Sequence, residues 1–187
     1  MFRANSRELR VLDFDIENRP LAYRGWDKTT SEVTAIAGQF IGQPDQWCWL
    51  LGDIDTPDML REFRALYDQA DVVTGHYIRG HDLPILNAQM VANGFDPLPA
   101  KLSIDTYYDL PRFKDLPKSQ EYLSGLFGVP APKVGVSVLD WERANRLTDD
   151  GRSITRLRVT ADVTQHIQLL AALRKRKLLG PAKVWKP

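Results

Sequence analysis

Residues 10–17 read Arg-Val-Leu-Asp-Phe-Asp-Ile-Glu, and apolar and acidic side chains alternate through them. Leu12, Phe14 and Ile16 share one side of this stretch, and Val11, Asp13, Asp15 and Glu17 share the other. A period of two is the mark of a β-strand with one face in a core. Asp15 and Glu17 therefore leave the strand on one face, side by side. Two adjacent carboxylates on a buried strand repel each other and are costly to desolvate. A divalent cation removes both costs, and hard oxygen ligands suit Mg²⁺ or Mn²⁺. The plain alternative is a solvent-facing strand whose acids are simply hydrated. Asp13 shares this face and reads as a supporting or an exposed acid.

Downstream, Val33–Ile41 and Gln46–Leu51 are rich in β-branched and aromatic residues, with a turn at 42–45 between them. Together with the first stretch they suggest a three-stranded antiparallel meander. Thr56-Pro57-Asp58 then opens a helix, with Thr56 expected as N-cap and Pro57 as first helical residue. Met59, Leu60, Phe63, Leu66 and Tyr67 form its apolar stripe. A short strand is expected over Asp71–His76, a helix over Leu83–Asn93, a strand over Leu102–Tyr107 and a short helix over Ser119–Phe127. Pro130–Asp150 carries no clear pattern. A long final helix is expected from Arg156 or Thr160 to about Leu179, with Val159, Val163, Ile167, Leu170 and Leu173 on one side and Gly180-Pro181 as its stop. Strands and helices in this order predict a mixed α/β sheet with helices packed against it, as one domain over 1–187.

Two further acids fall at suggestive places. Asp82 follows the end of a strand and sits at the start of a helix. There it can cap the helix or aim at the edge of the first strand. Asp162 sits beside the apolar stripe of the last helix, so its carboxylate needs a partner.

The chain of 187 residues holds 25 Lys and Arg against 24 Asp and Glu. That near-neutral balance hides an asymmetry: Arg143–Pro187 carries 11 basic and 3 acidic residues. This basic end, which includes Arg152, Arg156, Arg158 and the run Arg174–Lys177, is either a solvated helix terminus or a phosphate-facing surface. Cys48 is the single cysteine, which excludes an intrachain disulfide and a cysteine-rich zinc site. Between Trp47 and Trp49 it reads as a small core residue. No stretch has the length of apolar sequence that crosses a bilayer, and Met1–Arg10 is polar and charged, without the apolar segment of a signal peptide. A cytoplasmic protein without membrane partners is expected.

Taken together, LDFDIENRP, GHYIRGHD followed by LPIL, and ADV on the last helix make the chain resemble the DEDD (DnaQ-like) 3′→5′ exonucleases of the ribonuclease H-like superfamily. Ile104-Asp105-Thr106, Leu123 to Gly128, Lys133 and Trp141 also fall where stand-alone phage and proofreading-type exonucleases carry similar residues. The resemblance implies a ribonuclease H-like mixed sheet of five or six strands. It also implies catalytic, metal-holding roles for Asp15, Glu17, Asp82 and Asp162. Two Mg²⁺ or Mn²⁺ ions, about 3.5–4 Å apart, would serve phosphodiester hydrolysis to nucleoside 5′-monophosphates. The expected substrate is nucleic acid, DNA before RNA, at single-stranded 3′ ends, with replication or repair proteins as further partners. His76, Tyr77, His81 and Arg158 are the expected substrate-binding residues. Tyr77, Tyr107, Tyr108 and Trp141 are candidates for stacking on bases.

The chain departs from the family in its second and third motifs. Tyr77 stands where Asn is common and His81 where Phe is common. Arg158 and Leu157 stand where the family carries the Tyr or His that orients the attacking water. Arg158 stays protonated and cannot act as a base. His166, one helical turn after Asp162, is the remaining candidate base, although its position also suits a surface or packing residue. The rival readings are a catalytically weakened nucleic-acid- or partner-binding module, an internally cutting ribonuclease H-like nuclease, and a structural subunit of a replication complex.

Overall fold

The computed structural model describes residues 8–20, 31–111, 113–130 and 135–187. Lys133 and the first residues of the N-terminal segment lie outside the described residues. Among the described residues, six strands form one mixed sheet. They are β1 (Val11–Pro20), β2 (Ser31–Phe40), β3 (Gln46–Leu50), β4 (Val72–Gly75), β5 (Lys101–Asp105) and β6 (Lys183–Trp185). Their order across the sheet is β3-β2-β1-β4-β5-β6. The β1–β2, β2–β3 and β5–β6 pairs are antiparallel, whereas β4 runs parallel to both β1 and β5. Among the described residues, five helices flank the sheet: α1 (Thr56–Gln69), α2 (Asp82–Ala92), α3 (Gln120–Phe127), α4 (Val138–Asn145) and α5 (Asp149–Lys175). This is the expected α/β architecture, of ribonuclease H-like type.

The alternation in β1 sorts the two faces of the sheet. Leu12, Phe14 and Ile16 join Met59, Leu60, Phe63 and Tyr67 of α1 and Leu83, Leu86 and Met90 of α2 in the main core. The opposite face carries Asp13, Asp15 and Glu17, and α5 lies over it. There the cross-strand neighbours of Asp15 and Glu17 are Ala37 and Ala35. Both alanines are buried against Val159 and Val163 of α5. Small residues beside the acids let α5 approach the sheet while space remains above the carboxylates.

Several boundaries differ from the sequence expectation. The N-cap of α1 is Asp55, whose side chain accepts from Asp58 N at 2.8 Å, so Thr56 and Pro57 become its first two residues. Helix α5 begins at Asp149, well before Arg156, with Thr148 as its N-cap. Its first turns carry no apolar stripe because they cross α4 at close range. A Cβ at Gly151 would lie 2.2 Å from Arg143 O. The helix ends at Lys175 rather than Leu179, because Lys177 takes a left-handed conformation (φ 56°) and Leu178 N turns back to Leu173 O. Within the unassigned 130–150 stretch, α4 starts at a capping box of Ser137 and Asp140. Strand β6 was not expected. Its Trp185 closes one end of the main core. Cys48 is half-buried on the α5 side of β3, and burial pushes its thiol up to about 11. Among the described residues no helix is long and apolar enough to cross a membrane.

Candidate metal and substrate site

Pairing between β1 and β4 stops at Asp13 and Thr74. Beyond that point the Ile16 N–H is taken by the Asp82 carboxylate, at 3.1 Å from Oδ1. Asp82 is thus the first residue of α2 rather than its cap. Position 81 precedes the helix, and no side chain caps it. This tether pulls the start of α2 to the strand edge between Asp15 and Glu17. Gly75 permits the approach, since a Cβ there would meet Ile78 at 2.3 Å and Phe14 O at 2.8 Å.

The result is a cavity of about 350 Å³. Its walls include Asp15, Glu17, Asp82 and Asp162, and also His76, Tyr77, His81 and Arg158. Every acid and every substrate-binding residue expected from the sequence therefore opens on one space. The acids are not equivalent within it. Asp15, Glu17 and Asp162 each offer an oxygen, and these oxygens lie within 4.8 Å of one another. Asp82 lines the same cavity outside that trio, with one oxygen committed to Ile16.

Charge is concentrated here. The Asp15 carboxyl is held well above the usual carboxylate range by burial, then by the charges of Asp82, Asp162 and Glu17, with Arg158 opposing. Burial also raises Glu17, and the Arg158 guanidinium counters it. The His81 imidazole is raised because it bonds to Asp82, 3.4 Å away. A hard dication fits this donor set on its chemistry: three carboxylates converge, and burial first, then repulsion within the group, makes the ionised form of Asp15 costly without a cation. Among the described residues, Arg158 supplies the one guanidinium that lines the cavity. Its Nε is 2.6 Å from Glu17 Oε1 and its Nη2 is 3.7 Å from Asp162 Oδ2. The guanidinium lies over the Trp141 ring, 5.1 Å from its centroid. Trp141 thus supports Arg158 and does not line the cavity.

Aromatic rings form one rim. Tyr77, Tyr107 and Tyr108 touch one another, with centroids 4.8, 5.4 and 5.5 Å apart. A single buried carboxylate organises them. Asp105 Oδ1 accepts from the backbone N–H groups of Tyr77, Tyr107 and Tyr108, and Oδ2 accepts from that of Arg79. Ser119 and Gln120 at the start of α3 also line the cavity. Gln120 donates to the Asp162 carbonyl at 2.9 Å. Nothing in the sequence marks that residue, because α3 reaches the site only through the tertiary fold.

Two sequence expectations change. Asp13 is fully buried, and His166 Nδ1 lies 2.5 Å from its Oδ2. The other His166 nitrogen, Nε2, lies 3.0 Å from Thr106 Oγ1. Both ring nitrogens are engaged beneath the site, so His166 neither lines the cavity nor lies at the surface. Burial raises the Asp13 carboxyl and His166 counters it. On the basic C-terminal segment, Arg152 and Arg156 pair with Asp53. Those two charges therefore serve the fold.

No family model matches the chain, and no curated protein matches its sequence. Among solved structures it is similar to the family B DNA polymerase of the hyperthermophilic archaeon Pyrobaculum calidifontis, with a TM-score of 0.71 and 20% sequence identity over 92% of this chain. The chain spans about a quarter of that polymerase, since the match covers 25% of its length. At that identity the likeness speaks for the fold.

Proposed function

We propose that the chain is a divalent-cation-dependent nuclease that removes nucleotides from the 3′ ends of nucleic acid, DNA before RNA. The observation that carries this reading is the convergence of Asp15, Glu17 and Asp162, with Asp82 beside them, on one open cavity. The likeness to a DNA polymerase fold supports a nucleic-acid substrate. Asp15, Glu17 and Asp162 would hold Mg²⁺ or Mn²⁺, with Asp82 completing the acidic wall. When bound, the ions of a two-metal site supply Lewis acidity toward the phosphate and the attacking water. The chain's own groups do the rest. Asp82 fixes the strand that carries Asp15 and Glu17. Arg158 offers a permanent positive charge to a phosphate oxygen. Tyr77 and Tyr107 present ring surface on which bases stack.

The test is a digestion with Mn²⁺ of 5′-labelled single-stranded DNA, circular single-stranded DNA and RNA of the same sequence. A ladder shortening from the 3′ end, release of nucleoside 5′-monophosphates and an intact circle are expected. Asp15→Ala should abolish the ladder. Cutting of the circle would replace this reading with an internal nuclease. One observation favours a second reading: Arg158 occupies the place of the family's Tyr and is bonded to Glu17. A binding module without turnover would leave all three substrates intact yet retain them in a binding assay.

A further inference from the structure

The acidic cavity shares one wall with a second, larger cavity. Tyr107 lines both, and the second, of about 440 Å³, is lined further by Tyr108, Phe113, Leu116 and Lys118. Leu116 packs against the small core of Leu110 and Leu123. Tyr108 and Phe113 do not follow it inward: they are 49% and 46% exposed. With Tyr77 and Tyr107 they extend one exposed aromatic surface from the acidic cavity into its neighbour. A contiguous surface of this kind marks a binding site more often than a scatter of single rings does.

The fold holds these rings in place. Asp105 Oδ1 accepts from the Tyr107 and Tyr108 N–H groups at 2.9 and 3.2 Å. Gly80 leaves the room in which Tyr77 and Tyr108 meet, since a Cβ there would lie 2.4 Å from the Tyr77 ring and 2.9 Å from the Tyr108 hydroxyl oxygen. Lys118 Nζ donates to Tyr107 O at 3.0 Å and to Leu110 O at 2.6 Å, which brings a positive charge into the same wall. Residues 111–118 read Pro-Arg-Phe-Lys-Asp-Leu-Pro-Lys, three basic residues against one acid, with Phe113 among them. Rings interleaved with cations suit a single strand, because bases stack on the rings whatever their sequence and the cations attract the phosphates between them.

The acidic cavity, at about 350 Å³, lies at the lower end of the ~300–1,000 Å³ of small-molecule pockets, which gives room for a nucleotide but not for a strand. A 3′ end seated there can continue only in the 5′ direction. We infer that the cavity of Tyr108, Phe113 and Lys118 is a second nucleotide subsite, which stacks the base next to the 3′-terminal one on Tyr108 and Phe113. The inference rests on the nuclease reading for the polarity of the strand.

The test is a binding titration of the full chain with thymidine 5′-monophosphate and with hexathymidylate, in Ca²⁺ in place of Mn²⁺ to spare the strand. Phe113→Leu, which keeps an apolar side chain but no ring, should weaken hexathymidylate at least about fivefold and leave the mononucleotide within about twofold of wild type. Phe113→Trp, which keeps a ring, should stay within about twofold for both. On the wild type, an abasic residue second from the 3′ end should cost at least about fivefold, and one at the 5′ end less than about twofold. Combining Tyr108→Leu with Phe113→Leu should reduce the cost of the second-position abasic residue to less than about twofold. Unchanged hexathymidylate binding by Phe113→Leu, equal binding by the Leu and Trp variants, or a mononucleotide loss as large as the hexamer's overturns the inference. So does a second-position abasic residue that costs the wild type nothing or costs the double variant as much as the wild type. No arm needs turnover. An absent ladder in the digestion assay with these effects intact counts against the nuclease reading alone, and a ladder without them counts against the subsite alone.

Discussion

Arg158 Nε lies 2.6 Å from Glu17 Oε1, so one carboxylate of the acidic trio is already neutralised by a residue of the chain itself. Arg158 comes from α5, one turn before Asp162, and Trp141 of α4 holds its guanidinium flat. A cation entering the site has to share Glu17 with it. Hydrogen bonds between charged groups contribute about 1.5–3 kcal/mol, enough to shift metal affinity measurably.

Arg158→Gln should therefore tighten Mn²⁺ binding about tenfold, the equivalent of about 1.4 kcal/mol, in a calorimetric titration. The same change should lower the melting temperature of the metal-free protein, because Glu17 loses its countercharge, and Mn²⁺ should restore it. Unchanged affinity would mean that Glu17 is not a ligand. Arg158→Tyr restores the residue type that the resembling exonucleases carry four residues before the last Asp. It should raise turnover at least about a hundredfold, the lower end of the range expected of general-base help.

Asp15 should separate stability from activity. Its carboxyl is raised by burial and by three neighbouring acids, so ionising it costs stability in the metal-free fold. Asp15→Asn removes that charge at nearly constant shape. The metal-free variant should melt higher than the wild type, by ~2–4 °C for each kcal/mol recovered. It should gain no further stability from Mn²⁺ and show no digestion. A lower melting temperature without metal would disprove the repulsion.

The pH dependence follows from the same groups. Asp13, Asp15 and Glu17 are raised, so the folded chain binds more protons than the unfolded one above the ordinary carboxylate range. Stability contributed by their protonated forms is lost as pH rises through the folded values. His81 is also raised, and its contribution is present at low pH and lost as pH rises through its folded value. Asp109 and Asp140 are lowered and act in the opposite sense, but their effect is complete once they are ionised. Melting curves without metal should therefore show stability falling from mildly acidic to neutral pH. Mn²⁺ should flatten that fall, because it favours the ionised acids.

The face assignment of β1 was legible because a period of two leaves no choice once Leu12, Phe14 and Ile16 seek a core. Asp82 and Asp162 were legible as acids at helix positions that open toward that strand. The route from Asp13 to Thr106 was not. Asp13, Thr106 and His166 come from three distant segments, and each side chain has an ordinary solvated alternative until the sheet and α5 enclose it. The first turns of α5 were hidden for a different reason. Close packing on α4 requires Gly151, which leaves no apolar stripe, although Thr148 followed by Asp149 and Asp150 is an N-terminal signal that periodicity overlooks.

Tyr77 gives a physical reason for one departure from the resembling family. Its backbone is left-handed, at φ 67°, a conformation that costs an ordinary L-residue about 1–2 kcal/mol and that Asn adopts more readily. The family's common Asn at this place is thus the residue that the turn into α2 favours. Tyr77 keeps the strained backbone and adds a ring to the cavity rim. Tyr77→Ala and Tyr77→Asn remove that ring equally but differ in backbone preference. Asn should be the more stable variant by about 0.5–1 kcal/mol in urea unfolding, since it recovers part of the left-handed cost. Both should bind single-stranded DNA at least about fivefold more weakly than wild type, the lower end of the ~1–3 kcal/mol of one lost stacking contact. Equal stability of the two variants would show that Asp105, which accepts the Tyr77 N–H at 3.0 Å, holds the turn whatever residue occupies it.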